Sequence, residues 1–428
     1  MKSNHYQVGI VADDITGSND IGIMYSHNGH KVNIFPYTSF NADKFDGDVV
    51  IIDTDSRFAT IQDSYTRVYE ATKKLIDLGV KQFFKKTCSV FRGNIGTEFD
   101  AMLDALGENF AIIVLGFPDN GRTTVNSLHY VHGTLLEKSE FKNDPMNPMT
   151  ESNLVDILQK QTKRKVGSVH FDIVEQGSAA IKEDLDRLVQ KYNYVIIDVR
   201  NNTDLHQIAE AIKDIKVVCG ASAIGKEFGA YLVPSSSNAL KMPPRLPGIG
   251  IFSISGSITP QTKAQIKYAK IHGTYVIEVD IGRLLMKNQS DLMEQVAMES
   301  IKQLQNGINV LVYAANSPEC IKNTKNLGMA IGMNEAEVAK FVSTSLSKIC
   351  RRVMKTTNQN RVLVAGGDTS GSFCSTFGIT GMTVYKEISP GLPSCISLSK
   401  PPLLMILKSG SFGNESFFID AYEHLKRN

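Results

Sequence analysis

Two adjacent acids, Asp13 and Asp14, end an apolar run in the segment ADDITGSND (12–20). A strand runs into them and a helix follows. Open α/β sheets place their ligands there, outside the carboxyl end of a strand. A carboxylate at that point can accept a proton from a substrate hydroxyl or hold a metal. Adjacent residues at a strand end point opposite ways, so one acid is expected to face a ligand and the other to bind backbone. Which does which stays open. Thr16 and Asp20 belong to the same segment. The plainer interpretation is a helix N-cap beside solvated acids.

Three further segments bring cations to strand ends. TDSR (54–57) puts Arg57 where its guanidinium can fork a carboxylate or phosphate, against the plainer surface ion pair. KKTCSVFRGNIGTE (85–98) gathers Lys86, Ser89, Arg92, Gly93 and Asn94 at one strand-to-helix turn, a geometry suited to an anion rather than a mere charged loop. FPDNGRTTVNSLHYVHG (117–133) opens with a turn and adds Arg122. Together they imply an acidic small-molecule substrate. His129 and His132 form HxxH but lack a third ligand and a glutamate between them, so no zinc site is assigned and no metal ligands are named.

The second half carries three glycine- and hydroxyl-rich turns, each after a strand. SISGSITPQTKAQI (253–266) offers Ser257 and Thr259. VAGGDTSGSF (364–373) offers Gly366, Gly367, Asp368, Thr369 and Ser370. LKSGSFGNESF (407–417) offers Lys408 and Gly410. Glycine lets a ligand approach the backbone, and first-turn N–H groups meet phosphate. The set implies a nucleotide-phosphate cradle without a Walker motif. GASAIGKE (220–227) has Walker spacing, but Glu227 stands where a Ser or Thr is needed for Mg²⁺, so it is set aside as a glycine-bounded turn.

Those residues need elements to position them. The chain has 428 residues, enough for two or three domains at roughly 100–200 residues each. It is 42% hydrophobic and 21% charged, an ordinary globular balance. Its 46 basic and 44 acidic residues leave a net charge of +2, no footprint for nucleic acid or anionic membrane. No apolar stretch approaches the about 20 residues of a membrane span, and the N-terminus lacks a signal-peptide layout. The six cysteines form no CxxC pair; reduced thiols and a cytoplasmic location are expected.

Apolar runs at 7–12, 31–35, 48–53, 81–86, 111–116, 194–199 and 216–219 predict strands. Helical periods lie between several of them. In 63–79, Val68, Ala71, Leu75 and Leu78 make one face, and Gly79 is a C-cap. The serine- and proline-rich stretch 234–249 predicts a linker. Runs at 250–255, 274–279, 308–313, 361–366 and 403–408 continue the alternation. A helix follows Asn334, with Glu337 completing a capping box and Val338, Val342, Leu346, Ile349 and Val353 inward. Two α/β domains with mainly parallel sheets are expected, at 1–233 and 250–428, with a substrate cleft between them.

These motifs resemble the four-carbon acid sugar kinases. The family's ADDLTGA-x-D is similar to 12–20, and its DSR to Asp55-Ser56-Arg57. Its KxDSTLRGN resembles the stretch ending RGN at 94, its FPxxGR is 117–122, and its DPxxP is 144–148. Its GSxSxxTxxQ resembles 256–265, its GGETS 366–370, its PGVP 390–393 and its LKSGNFG 407–413. The likeness runs in order along nearly the whole chain.

The resemblance implies an acid-sugar domain followed by a nucleotide domain, and ATP-dependent phosphorylation of a threonate, erythronate or 3-oxo-tetronate with Mg²⁺. Arg57, Arg92 and Lys86 would hold the substrate carboxylate, and Asp13 or Asp14 would orient the attacking hydroxyl. Ser257, Gly366 to Thr369 and Gly410 would contact ATP. Two departures stand out: Cys88 replaces the family's aspartate, and Asp368 replaces the glutamate of GGETS. Cys88 keeps open an alternative, a non-catalytic sugar-acid or nucleotide sensor on the same fold. A nicotinamide dehydrogenase is disfavoured, since no GxGxxG follows the first strand. The expected partners are a sugar acid and ATP, with a homodimer as the assembly to test and neither nucleic acid nor membrane.

Overall fold

The computed structural model describes residues 6–42, 46–144, 146–235, 240–286 and 289–428. The chain divides into two compact units, Met1–Asn238 and Ala239–Asn428. Part of the expected linker, 236–239, lies outside the described residues, as does Pro145 of the DPxxP stretch.

The first unit runs β1 (Val8–Ala12), α1 (Ile15–Ser26), β2 (Val32–Pro36), β3 (Val49–Asp53), α2 (Ile61–Asp77), β4 (Gln82–Lys86), α3 (Ile95–Leu106) and β5 (Ala111–Val114). It continues through β6 (Arg122–Val125), β7 (Leu128–Val131), β8 (Thr134–Leu135), α4 (Leu154–Gln159), β9 (Val166–Val169), α5 (Phe171–Val174) and α6 (Ser178–Leu188). It ends with β10 (Tyr194–Ile197), α7 (Asn202–Ile212), β11 (Val217–Gly220) and α8 (Ile224–Gly229). Eight strands pair in the order β2-β3-β1-β4-β11-β5-β10-β9, every pair parallel. Every residue of β1, β3, β5 and β10 is buried, which is why they read as unbroken apolar runs.

Register decides what meets what. Ala12 is level with Asp53 on one side and Lys86 on the other, and Lys86 is level with Gly220. Because the strands are parallel, the segments after β1, β3, β4 and β11 therefore emerge side by side on one edge. The sequence reading missed β9 and the antiparallel meander β6–β8. The β6–β7 turn, Asn126-Ser127, takes φ of 50° and 63° without a glycine to signal it. The Asp198 carboxylate, at the end of β10, accepts from both turn N–H groups at 2.6 and 3.0 Å, and so makes that conformation affordable.

The second unit runs β12 (Phe252–Ser255), α9 (Pro260–Ile271), β13 (Tyr275–Val279), α10 (Ile281–Leu285), α11 (Gln289–Gln305), β14 (Val310–Ala314) and α12 (Pro318–Ala330). It closes with α13 (Glu335–Thr357), β15 (Arg361–Ala365), α14 (Gly367–Phe377), β16 (Met382–Ser389), β17 (Leu392–Ser397), β18 (Leu404–Lys408) and α15 (Phe417–Arg427). The order is β13-β14-β12-β15-β18-β17-β16, parallel as far as β18 and antiparallel through the unforeseen β16–β17 hairpin. Ser255, Ala365 and Lys408 share one register level, so three strand ends again meet. The capping box at Asn334 and Glu337 is formed, although Val342 is only half-buried. Among the described residues, no helix is long and apolar enough to cross a membrane.

Candidate functional site

At the end of β1 both acids converge on one arginine. Arg57 donates from Nε and Nη2 to the two oxygens of Asp13 at 2.8 and 2.9 Å, and from Nη1 to Asp14 at 2.5 Å. This corrects the expectation that the acids point opposite ways. The guanidinium fork has two usable edges, and one arginine spans both carboxylates. Asp14 also caps α1: its Oδ1 accepts from Gly17 N at 2.6 Å, and its Oδ2 from Thr16 Oγ1 at 3.0 Å. Asp13 is 1% exposed, whereas Asp14 is half-buried. Burial opposes the charge on Asp13, but Arg57, helped by Lys85 and Lys86, outweighs it and lowers the carboxyl to about 2.

Lys85 and Lys86 follow each other along β4, so their side chains leave opposite faces of the sheet. Lys86 Nζ donates to Thr87 O at 2.9 Å and lies 3.6 Å from Asp20 Oδ2 on α1. Ser222, just past β11, donates to the same Asp20 oxygen at 2.6 Å. Burial pushes Asp20 up to about 6, against the pull of Lys86 and Ser222. On the other face, Lys85 Nζ pairs with Glu98 Oε2 of α3 at 2.7 Å.

Arg92 is held on three sides. It donates from Nη1 to Asp144 at 2.6 Å and from Nε to Cys88 Sγ at 3.3 Å, and it stacks on Phe141. Burial opposes ionisation of the Cys88 thiol; Arg92 and Arg57 outweigh it and lower its pKa. Asp144 in turn accepts from the Met146 and Asn147 N–H groups. Arg122 is buried, bonded to Asn120 O and 3.2 Å from His132 Nε2. His129 meets Thr124 instead, so the two histidines have separate partners. Ser89 is buried in the same turn as Cys88, and Gly93 backs on to the Arg57 carbonyl. Asn94 donates to Ala59 O and Ser64 Oγ, which gives it a structural task.

The expected cations are thus brought together, but already engaged by the protein's own groups. Ser222, Asp144, Lys85 and Glu98 went unassigned in the sequence. Ser222 sits inside the Walker-like segment, whose spacing drew attention to Lys226; that lysine is exposed.

In the second unit the three turns touch. Thr259 caps α9, and its hydroxyl donates to Gly410 O at 2.7 Å while lying 3.1 Å from Ser257 Oγ. A Cβ on Gly410 would stand 2.6 Å from Ser257 Oγ. Gly366 opens α14 at φ 112°, where a Cβ would meet Thr369 Oγ1 at 3.1 Å and Ser257 N at 3.3 Å. Gly367 begins the helix, Asp368 is exposed in its first turn, and Thr369 and Ser370 are buried. Lys408 departs from expectation. Its ammonium turns inward on Thr262 Oγ1, Ser409 O and Gly410 O at 3.1, 2.7 and 3.0 Å, so it braces the turn. Burial lowers it to about 7. Gln265, quoted in a motif but given no role, donates to the carbonyls of Phe412, Gly413 and Asn414.

The edges described match two family models. Residues 8–228 match the sugar-binding N-terminal domain, and residues 252–418 the nucleotide-binding C-terminal domain. The chain belongs to the four-carbon acid sugar kinase family. Within that family it is 31% identical to the 3-oxo-tetronate kinase of Brucella melitensis, over 97% of this chain and 95% of that one. The 3-oxo-tetronate kinase of Haemophilus influenzae is 30% identical, over 96% and 98%. A Salmonella typhimurium LT2 protein named as a tRNA synthase has the same fold, with a TM-score of 0.81, 28% identity and coverage of 98% and 99%. The first edge, on β1, β3 and β4, lies within the sugar-binding model, and the second, on β12, β15 and β18, within the nucleotide-binding model.

Proposed function

We propose that the chain is an ATP-dependent kinase that phosphorylates a hydroxyl of a four-carbon sugar acid. The observation that carries this is the pair of carboxylates on one arginine at the end of β1, in a chain of this family. Phosphoryl transfer asks for positioning and charge placement more than covalent chemistry. Asp13 has both oxygens on Arg57 and a carboxyl at about 2, so it is a poor proton acceptor and serves to aim the guanidinium. Asp14 is half-buried and orients the substrate hydroxyl. Arg57, Arg92 and Lys86 place positive charge along the edge where the substrate carboxylate binds. Thr16, Asp20, Ser89, Gly93, Asn94 and Arg122 shape that edge.

ATP supplies the transferred phosphoryl group when bound. The turns fit it: at Gly366 and Gly410 a Cβ would fill the space beside Ser257. Ser257, Thr259, Gly366, Gly367, Thr369, Ser370 and Gly410 form the cradle, and Lys408 holds it in shape. Among the described residues, no cluster of three or more His, Cys, Asp or Glu could hold a metal by itself. Mg²⁺ would neutralise phosphate charge when bound with ATP, and Asp368, exposed in the first turn of α14, is the carboxylate of this edge that would help to hold it.

The test is ADP release with Mg·ATP across threonate, erythronate and the 3-oxo-tetronates. Turnover on one member is expected. ATP binding without turnover on any member would favour the sensor and point to Cys88. On the substrate found, Asp14→Asn is expected to lose at least about a hundredfold in kcat. If neither Asp14→Asn nor Asp13→Asn does so, the assignment of these acids is wrong.

A further inference from the structure

Three oxygen–oxygen contacts run in line from β1 to α3. Thr54 Oγ1 lies 2.7 Å from Ala12 O and 2.8 Å from Ser56 Oγ. Ser56 Oγ lies 2.6 Å from Glu98 Oε1. Each contact at such a distance needs a hydrogen between its oxygens. The Ala12 carbonyl has none to give, so the Thr54 hydroxyl is spent there. The Thr54–Ser56 contact then takes the hydrogen of Ser56. Nothing remains on either hydroxyl for the third contact, and its hydrogen has to come from the carboxyl group.

We propose that Glu98 is a neutral carboxylic acid that donates from Oε1 to Ser56 and, through that chain, positions Arg57. Its surroundings agree. Glu98 is 1% exposed, and its other oxygen lies 2.7 Å from Lys85 Nζ, which also donates to Lys86 O at 3.0 Å. The charges facing Glu98 are Lys85 from β4 and Asp13 from the end of β1. Burial raises the carboxyl despite Lys85, and Asp13 raises it further. With Lys86 paired to Asp20 and Glu98 neutral, Lys85 and Arg57 balance Asp13 and Asp14. An ionised Glu98 would add an uncompensated negative charge to that buried group.

The consequence falls on the 54–57 turn. The N–H groups of Ser56 and Arg57 donate to Asp13 O at 3.0 and 3.3 Å, so the chain from Glu98 fixes the backbone from which Arg57 reaches the acids. Glu98, Ser56 and Lys85 are positioning residues.

Infrared difference spectra of wild type minus Glu98→Gln at pH 7 test the proton directly and need no substrate. A carbonyl stretch of a neutral carboxylic acid, lost in the variant, is expected; no such band overturns the proposal. The kinetic arm rests on the kinase function proposed above. A glutamine donates to Ser56 and accepts from Lys85 as a neutral acid does, so Glu98→Gln should keep a kcat about tenfold above that of Glu98→Ala, one unmet buried hydrogen bond being of that size. Equal losses in the two variants would mean that Lys85 requires a charge, and would overturn it. If no sugar acid is turned over, the kinase reading fails while the infrared result still decides the state of Glu98.

Discussion

At the ends of β1, β3 and β4 the side chains are charged and bound to one another: Arg57 to Asp13 and Asp14, Arg92 to Asp144 and Cys88, Lys86 to Asp20. At the ends of β12, β15 and β18 the equivalent places hold Ser257, Thr259, Gly366, Thr369 and Gly410, and the ammonium of Lys408 faces the carbonyls of its own turn. Both edges are built the same way, from parallel strands in level register. Topology therefore does not account for the difference; the ligands proposed for the two edges would. A small acid presents few atoms, so discrimination has to come from charges held in fixed places. A nucleotide phosphate can be met by backbone N–H groups, provided that no side chain intervenes. The first edge should be sensitive to loss of charge and the second to gain of volume.

The largest effect is expected at Arg57. Arg57→Met leaves Asp13 and Asp14 side by side without their shared partner. Removing one member of a buried ion pair costs about 3–5 kcal/mol. Denaturant unfolding should show a loss of that order. A loss below about 1 kcal/mol would mean that the ion cluster does not hold this edge, and the contrast would fall.

Volume is tested in the second unit. Gly366→Ala forces an L side chain to φ 112°, and Gly410→Ala sets a methyl 2.6 Å from Ser257 Oγ. Strain of about 1–3 kcal/mol corresponds to roughly fivefold to a hundredfold in affinity. The KM for ATP should rise by that factor and the KM for the sugar acid should stay level. A matched rise in both would show that the two edges are not separately tuned.

Most of the parallel strands were legible as largely apolar runs, several of them ending in acids, cations or glycines, whereas β9, the β6–β8 meander and the β16–β17 hairpin were not. The partners were not legible. Arg57 lies far along the chain from Asp13, and Ser222 lies 202 residues from Asp20. Only strand register brings them together, and register does not show in a local window. The same blindness misjudged the acids at 13 and 14: alternation along a strand said that they diverge, but Asp14 already belongs to the helix cap. The Walker-like segment was set aside as a glycine-bounded turn, which passed over Ser222, two residues beyond the strand and bonded to Asp20. Lys408 failed for a related reason. A lysine after a strand suits phosphate by type, but its turn supplies three acceptors that take the ammonium first.

Lys408 yields the effect read least directly, as a slope in alkaline stability. Its ammonium is lowered from 10.5 to about 7 by burial. As pH falls below 10.5 the unfolded chain takes up a proton that the folded chain refuses until about 7. Across that window the unfolded state binds more protons, so stability rises with pH. The limit is about 1.4 kcal/mol per pH unit, and the three acceptors around the ammonium keep the slope below it. Asp13 works in the opposite range: its carboxyl is lowered, so its contribution is present above about 4 and fades as pH falls through about 2. Lys408→Met should therefore flatten the dependence of the unfolding free energy between pH 7 and 10 relative to wild type, and leave the acid limb unaltered. Parallel slopes in the two proteins would show that Lys408 carries its proton throughout. The second edge would then hold a buried charge as firmly as the first.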